Sequence, residues 1–248
     1  FFVIILPFIT VAITSFTVNM GKPLTLSNLS LKAWEKVFSR ASIISSTTNS
    51  FITATAAAFF GILISCVMAY LLQRTNVKGK RIPDFLITLG SGTPSVTIAL
   101  ALIISMSGKF GINIYNTLTI MVIAYMIKYM LMGMRTVVSA MSQVHPSLEE
   151  AAQISGANWL RMLKDVTLPL IGASIVAGIF LIFMPSFYEL TMSTLLYSSN
   201  TKTIGYELYI YQTYHSQQVA SALATAILLF VILVNYILNK LTKGQFSI

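Results

Sequence analysis

Hydrophobic runs of about twenty residues, the length that crosses a bilayer as a helix, recur along this chain with short polar stretches between them. Six can be marked, at residues 1–18, 48–72, 83–106, 114–134, 168–190 and 219–238. The pattern predicts an all-α polytopic membrane protein of six transmembrane helices, a single membrane domain over 1–248. Residues 19–45 form a polar connection with Gly21 and Pro23, and a short amphipathic helix is expected around Trp34, Val37 and Phe38. In the second run Ala57, Gly61, Ser65 and Ala69 recur every four positions, a small-residue stripe that lets another helix approach closely. The third run is interrupted by Gly90-Ser91-Gly92-Thr93-Pro94. Irregular backbone is tolerated at membrane depth where it is buried or lines a cavity, so Ser91 and Thr93 sit either on a transport route or at a plain kink. The fourth run carries Lys128, a charge that snorkels to an interface, pairs with an acid on a neighbouring helix or, as the lesser alternative, takes part in substrate passage.

The polar stretch between the fourth and fifth runs, about 135–167, has the punctuation of two short helices. Ser147 is placed to cap the first, with Glu150 three residues on reaching back in a capping box, and Pro146 marks the break before it. Gly156 suits the left-handed residue that ends this helix. Asn158 can cap a second helix carrying Trp159 and Leu163, and Pro169 then opens the next apolar run. Leu148, Ala151, Ala152 and Ser155 share a face by helical spacing, and such small side chains can press close to another protein. Glu149 and Glu150 lie at the positive end of the helix dipole, where they can also meet basic groups on a partner.

Composition agrees with the pattern. Of 248 residues 56% are hydrophobic and 9% charged, against about 25% charged in a soluble domain; mean hydropathy is +0.79. The net charge of +9 would suggest nucleic acid in a soluble chain, but most basic residues border the apolar runs, as the positive-inside rule describes. Arg74, Lys78, Lys80 and Arg81 crowd one loop, Arg135, Arg161 and Lys164 lie in the 135–167 stretch, and Lys240 and Lys243 in the tail. With six spans these share one side, the cytoplasm, which leaves 19–45 and 191–218 as outer loops. The chain begins at Phe1 inside an apolar stretch, which reads as a cut: a trimmed chain or the join to an upstream half.

The stretch from Glu150-Ala151-Ala152 through Gly156 to Val166-x-Leu168-Pro169 resembles the EAA loop of the membrane subunits of bacterial ABC importers, with valine where that family usually has isoleucine. The likeness covers the whole chain, since the family's type I permease domain has this six-span layout. It implies that a coupling helix, about 147–155 with Ser147, Leu148, Glu149, Glu150, Ala151, Ala152, Gly156 and Trp159, docks into a cytoplasmic ATPase dimer. That ATPase would hold the ATP and magnesium; this chain would hold no cofactor. The other partners implied are a second identical or homologous permease domain, an extracytoplasmic substrate-binding protein and the bilayer of the bacterial inner membrane, with no nucleic acid. Phe187-Tyr188-Glu189-Leu190-x-x-Ser193-Thr194-Leu195-Leu196, followed by Thr201-Lys202-Thr203-Ile204, is similar to the end of the fifth span in ferric-iron-type permeases, often two membrane halves in one polypeptide. Ferric iron is the cargo this implies first, with polyamine, thiamine or phosphonate as the relatives' alternatives.

Individual residues can then be weighed. A carboxylate near the membrane boundary is costly unless it faces water, protein or a ligand. Glu189 is therefore either a pathway carboxylate beside Tyr188, able to touch a cation in transit, or an interfacial group in a helix-end hydrogen bond or ion pair. Tyr188, Tyr197, Tyr206, Tyr209, Tyr211 and Tyr214 read as an aromatic belt and docking surface. His145 and His215 have no ligand cluster around them, Cys66 reads as a small buried hydrophobe, and no metal site is expected. The Gly-Lys pairs at Gly21, Gly79 and Gly108 are followed by Pro23, Arg81 and Phe110, never by the Ser or Thr of a phosphate loop. A transport subunit without its own enzyme activity follows. An ion-gradient-driven secondary transporter would share the broken helix, but has no use for the Glu150-to-Pro169 spacing.

Overall fold

The computed structural model describes residues 2–241 and is almost entirely helical. In chain order the helices are α1 (Phe2–Thr14), α2 (Lys32–Ser39), α3 (Ala41–Arg74), α4 (Arg81–Gly92), α5 (Ser95–Met106), α6 (Leu118–Gln143), α7 (Pro146–Ile154), α8 (Trp159–Met162), α9 (Leu168–Phe187), α10 (Thr191–Leu196), α11 (Ile204–Tyr214) and α12 (Gln217–Leu241). Among the described residues no strand forms beyond two isolated bridges, Thr17–Leu29 and Ser107–Asn113. Lys243 lies outside the described residues.

Four helical rods are long and apolar enough to cross a membrane: 41–74, 118–143, 159–187 and 217–240. The expected count of six is met in part among the described residues. The third run is not one rod: α4 and α5 are bent by 111° across Thr93-Pro94, because Pro94 has no N–H and bars its predecessor from helical geometry. Counted as one broken span, the pair brings the total to five. Among the described residues the first run forms α1, a 13-residue apolar helix. The outer stretch 191–218 is not a loop either, since it folds into α10 and α11.

The core is the junction of α3, α6 and α9. The expected stripe faces it: Ala57, Ser65 and Ala69 are 0% exposed and Gly61 is buried. The partner surfaces supply glycines of their own. A Cβ on Gly133 would lie 2.7 Å from Ile182 Cδ1 and 3.1 Å from the Gly178 carbonyl oxygen, and one on Gly178 would meet Ile62 Cδ1 at 2.8 Å. Without those side chains the α6 and α9 backbones touch, so dispersion and close packing can hold helices together where lipid removes the hydrophobic drive.

The Arg40 end of the bundle is closed by short elements. α2 turns Ala33 and Val37 inward, as expected, and Trp34 donates to Ser15 Oγ at 3.1 Å while stacking between Phe16 and Phe38. Arg40 donates to the Tyr211 hydroxyl at 2.8 Å. The tyrosines divide into two sets. Tyr206 and Tyr211 are buried, while Tyr188, Tyr197, Tyr209 and Tyr214 stay exposed as a belt requires.

Candidate functional site

At the opposite end of the bundle the 135–167 stretch is built as two helices, with its caps differing from the expected ones. α7 begins at Pro146, which fits the first helical position because its missing N–H is never called on. Its cap is His145, whose Nδ1 accepts from the Ser147 N–H at 3.3 Å, so the Ser147–Glu150 capping box does not form. Gly156 ends the helix at φ +88°, left-handed as expected. Asn158 caps α8 by accepting from the Arg161 N–H at 2.8 Å.

The second helix does not stop before the fifth run. From Trp159 to Phe187 the chain is one continuous rod, with a π turn at Leu163–Thr167 where the Leu168 N–H reaches back to the Leu163 carbonyl. Pro169 sits at the changeover from this wide turn to the ordinary one. A residue with no N–H and a ring that crowds the preceding turn is best tolerated there. The element is therefore a stiff extension of a membrane helix.

The two neighbouring glutamates face opposite ways. Glu149 is buried at 6% exposure and pairs with Arg74 Nε at 3.0 Å, while its other oxygen accepts from Thr167 Oγ1 at 3.0 Å. Arg74 also donates to the Met141 carbonyl at 3.2 Å and the Val144 carbonyl at 2.7 Å. One ionic knot thus ties the ends of α3 and α6 to α7 and to the π turn. Glu150, one residue and 100° further round, is exposed. Trp159 is anchored as well, donating from Nε1 to the Tyr70 hydroxyl at 2.7 Å with the rings edge to face.

What the element leaves outside is apolar or small. Ile154 is 87% exposed, Leu160 67% and Leu148 47%; Ala151 and Ser155 are exposed and Ala152 half-buried. Ile154 and Leu160 are large aliphatics that lie off the small-residue face marked by the helical spacing, and a large apolar side chain in so polar a stretch is the signal the sequence carries for them. Beside α7, a cavity of about 930 Å³ has a mixed polar and apolar lining that includes Arg135, Gln143, His145, Val144, Leu148 and Leu170.

The broken helix and the acid at the Arg40 end form two further arrangements. Ser91 and Thr93 act through their carbonyls, which accept from Lys128 Nζ at 3.0 and 2.8 Å. Lys128 therefore neither snorkels nor pairs with an acid, as the sequence suggested; its charge is met by the free carbonyls of the helix break. Glu189 is 8% exposed, with one oxygen accepting from the Met192 N–H at 2.9 Å and the other from the Tyr129 hydroxyl. Of the two readings of this acid, the geometry is that of a helix-end hydrogen bond. Tyr188 is 41% exposed and lines a separate apolar crevice with Met132, Phe180 and Asn235. Among the described residues no cluster of His, Cys, Asp and Glu could hold a metal ion.

Comparison with known proteins bears on both ends. The family model described as binding-protein-dependent transport system inner membrane component matches residues 61–244. The chain is 25% identical over 197 residues to an Fe(3+)-transport system permease protein of Haemophilus influenzae, covering 79% of this chain and 39% of that one. It is 27% identical over 255 residues to the trehalose/maltose transport system permease protein MalG of Thermococcus litoralis, covering 96% and 90%. The chain spans about a third of the length of the ferric permeases it matches, 39% of this one and 30% of another. Among solved structures, a bacterial ABC transporter that imports alginate superposes with TM-score 0.78 at 15% identity, covering 99% of this chain and 92% of that one. With this family match over most of the chain and several helices long and apolar enough to cross a membrane, the chain is a multi-pass membrane protein and belongs to the family of binding-protein-dependent transport system inner membrane components.

Proposed function

We propose that this chain is the permease subunit of an ATP-driven importer in a bacterial inner membrane, and that α7 with Gly156 and Trp159 is the element on which a separate cytoplasmic ATPase pair acts. The observation that carries this reading is the construction of the 135–167 element. It leaves Leu148, Ile154 and Leu160 exposed, is backed by a buried ionic knot, Arg74–Glu149–Thr167, and runs through its second helix into a membrane-crossing rod. A force applied to α7 is passed to α3, α6 and α9 together, because a buried charge pair resists separation far more than an exposed one. Glu150, exposed beside this face, is the acid offered to the partner. ATP and magnesium act on the partner; a ligand or nucleotide shifts the permease between two states only through differential affinity for them.

The route would form with a second permease domain, identical or homologous, and a binding protein would bring cargo to the Arg40 end. Ferric iron is the cargo proposed first, supported by the similarity of residues 187–204 to ferric-type permeases and by the ferric names of two relatives. Relatives named for sugars and alginate share the layout, and polyamine, thiamine or phosphonate are the competing cargoes. Glu189 and Tyr188 shape the route at the Arg40 end, Glu189 by fixing α10 and Tyr129 rather than by an open carboxylate.

The test is an Ile154→Glu variant in the complex with its cognate ATPase and binding protein. Burying an unpaired carboxylate in a contact should weaken it by at least about ten-fold, so ATPase retention and ATP-dependent uptake should fall while membrane insertion persists. Undiminished uptake, or uptake without any ATPase, would overturn the coupling reading. Metal analysis of what the binding protein retains decides the cargo; absence of iron there removes ferric iron.

A further inference from the structure

The α4 helix buries no residue, yet it lies along α6 in register. Asp84 meets Arg135 Nη2 at 3.0 Å, and the same nitrogen donates to Thr88 Oγ1 at 3.0 Å. Two turns back along α6, Lys128 Nζ holds the Ser91 and Thr93 carbonyls. Lys128 and Arg135 are seven residues apart, hence on one face of α6, and both point at α4. Between the two clasps Gly90 brings the backbones together: a Cβ there would lie 3.0 Å from Ile127 Cγ2 and 3.1 Å from the Ile127 carbonyl oxygen.

The chemistry of the lysine clasp is specific. A helix that breaks at membrane depth leaves carbonyls without donors, and each must be satisfied within the protein. Pro94 removes one donor outright, and the last carbonyls of α4 form the negative end of its dipole. An ammonium with three donors meets both demands. Among the described residues Lys128 forms no ion pair, so its whole counter-charge is carbonyl. Beyond the break, Ile98, Ala99 and Leu102 of α5 are packed in a cluster with Met121, Ala124 and Tyr125 of α6. α5 is held by this apolar packing; α4 is held by the two polar clasps and the Gly90 contact.

We propose that α4 is an arm of the transport route whose placement on α6 matters for transport, and that Lys128 is its positioning residue, clasping the arm to α6 by its two carbonyl bonds. This rests on the permease reading above. The clasp is tested on the purified transporter in lipid discs, with the sole cysteine replaced by Cys66→Ala and spin labels placed through Leu89→Cys on α4 and Met132→Cys on α6. Lys128→Met, which keeps the stem and removes the donors, should shift or broaden the label distance and lower ATP-driven uptake by at least about ten-fold, the scale of losing hydrogen bonds from a charged group. Lys128→Arg should restore both, and ATP hydrolysis by the Met variant should persist, uncoupled from uptake. If the Met variant fails to insert, Gly90→Ala, which pushes the arm off Ile127 with Lys128 intact, should give the same distance change and the same loss of uptake. An unchanged distance, or a changed distance with normal uptake, overturns the proposal. Should the wild-type chain prove to transport nothing with an ATPase, the permease reading fails, while the distance measurement still decides whether Lys128 clasps α4.

Discussion

Two adjacent glutamates, Glu149 and Glu150, carry the same chemistry in opposite directions. Only Glu149 reaches Arg74, and both side chains of that pair are below 10% exposed. Breaking a buried pair by removing one partner costs about 3–5 kcal/mol. Arg74→Met or Glu149→Gln should therefore lower the thermal midpoint in detergent markedly and cut ATP-driven uptake. The exchange Arg74→Glu with Glu149→Arg should recover part of both; single variants that match the wild type would show the knot to be idle. Glu207 gives a second residue-scale expectation. Burial raises its carboxyl above the ordinary 4.5, opposed in part by Lys202, the Ser46 hydroxyl, His215 and Arg40. The folded state then holds the proton more tightly than the unfolded one, so stability falls as pH rises from about 4.5 through the raised value and is level above it. Glu207→Gln should flatten that slope in thermal unfolding scanned against pH; a slope that survives assigns the effect to another group. Neither the Glu149 nor the Glu207 environment was legible in the sequence. A rotation of 100° per residue separates an inward from an outward acid, and the partners, Arg74 and Ser46, are 75 and 161 residues away.

Among the elements, the small-residue stripe on α3 was readable because its four-residue spacing is a local property of one helix. The glycines that answer it, Gly133 and Gly178, belong to other helices and show no spacing rule of their own. Their role is decided by backbone approach. Gly133→Ala should cost about 1–3 kcal/mol by overpacking, since its Cβ would press on the Gly178 carbonyl as well as on the flexible end of Ile182. Gly172→Ala on the same α9, where a Cβ meets nothing within 4 Å, should be neutral or stabilising through reduced unfolded-state freedom. Thermal unfolding of the two variants side by side checks this; equal losses would mean the approach of α6 and α9 is not tight. Helix ends were read with mixed success for a related reason. Gly156 and Asn158 are decided by their own backbone demands and were correctly placed. The cap of α7 passed from Ser147 to His145, because Pro146 could start the helix two residues early and Arg74 drew Glu149 inward.

For the whole molecule, the apolar surface that remains outside is extensive along the rods: Phe59, Phe60, Val67, Leu229, Ile232 and Leu233 are all more than half exposed. In water such a surface would drive association; around membrane-crossing helices it is what lipid requires. The sequence by itself determined the all-α membrane class, the apolar runs among which the four long rods lie, the break within residues 90–94 and the family, because each depends on hydropathy over a window, on proline chemistry or on a fixed spacing along one strand of chain. Tertiary structure alone decided that the broken span bends through 111°, that residues 159–167 are a rigid extension of α9, and that Lys128 clasps the break. Those outcomes depend on which carbonyls lose their donors and which distant side chain arrives to replace them, and such pairings are set by packing in three dimensions.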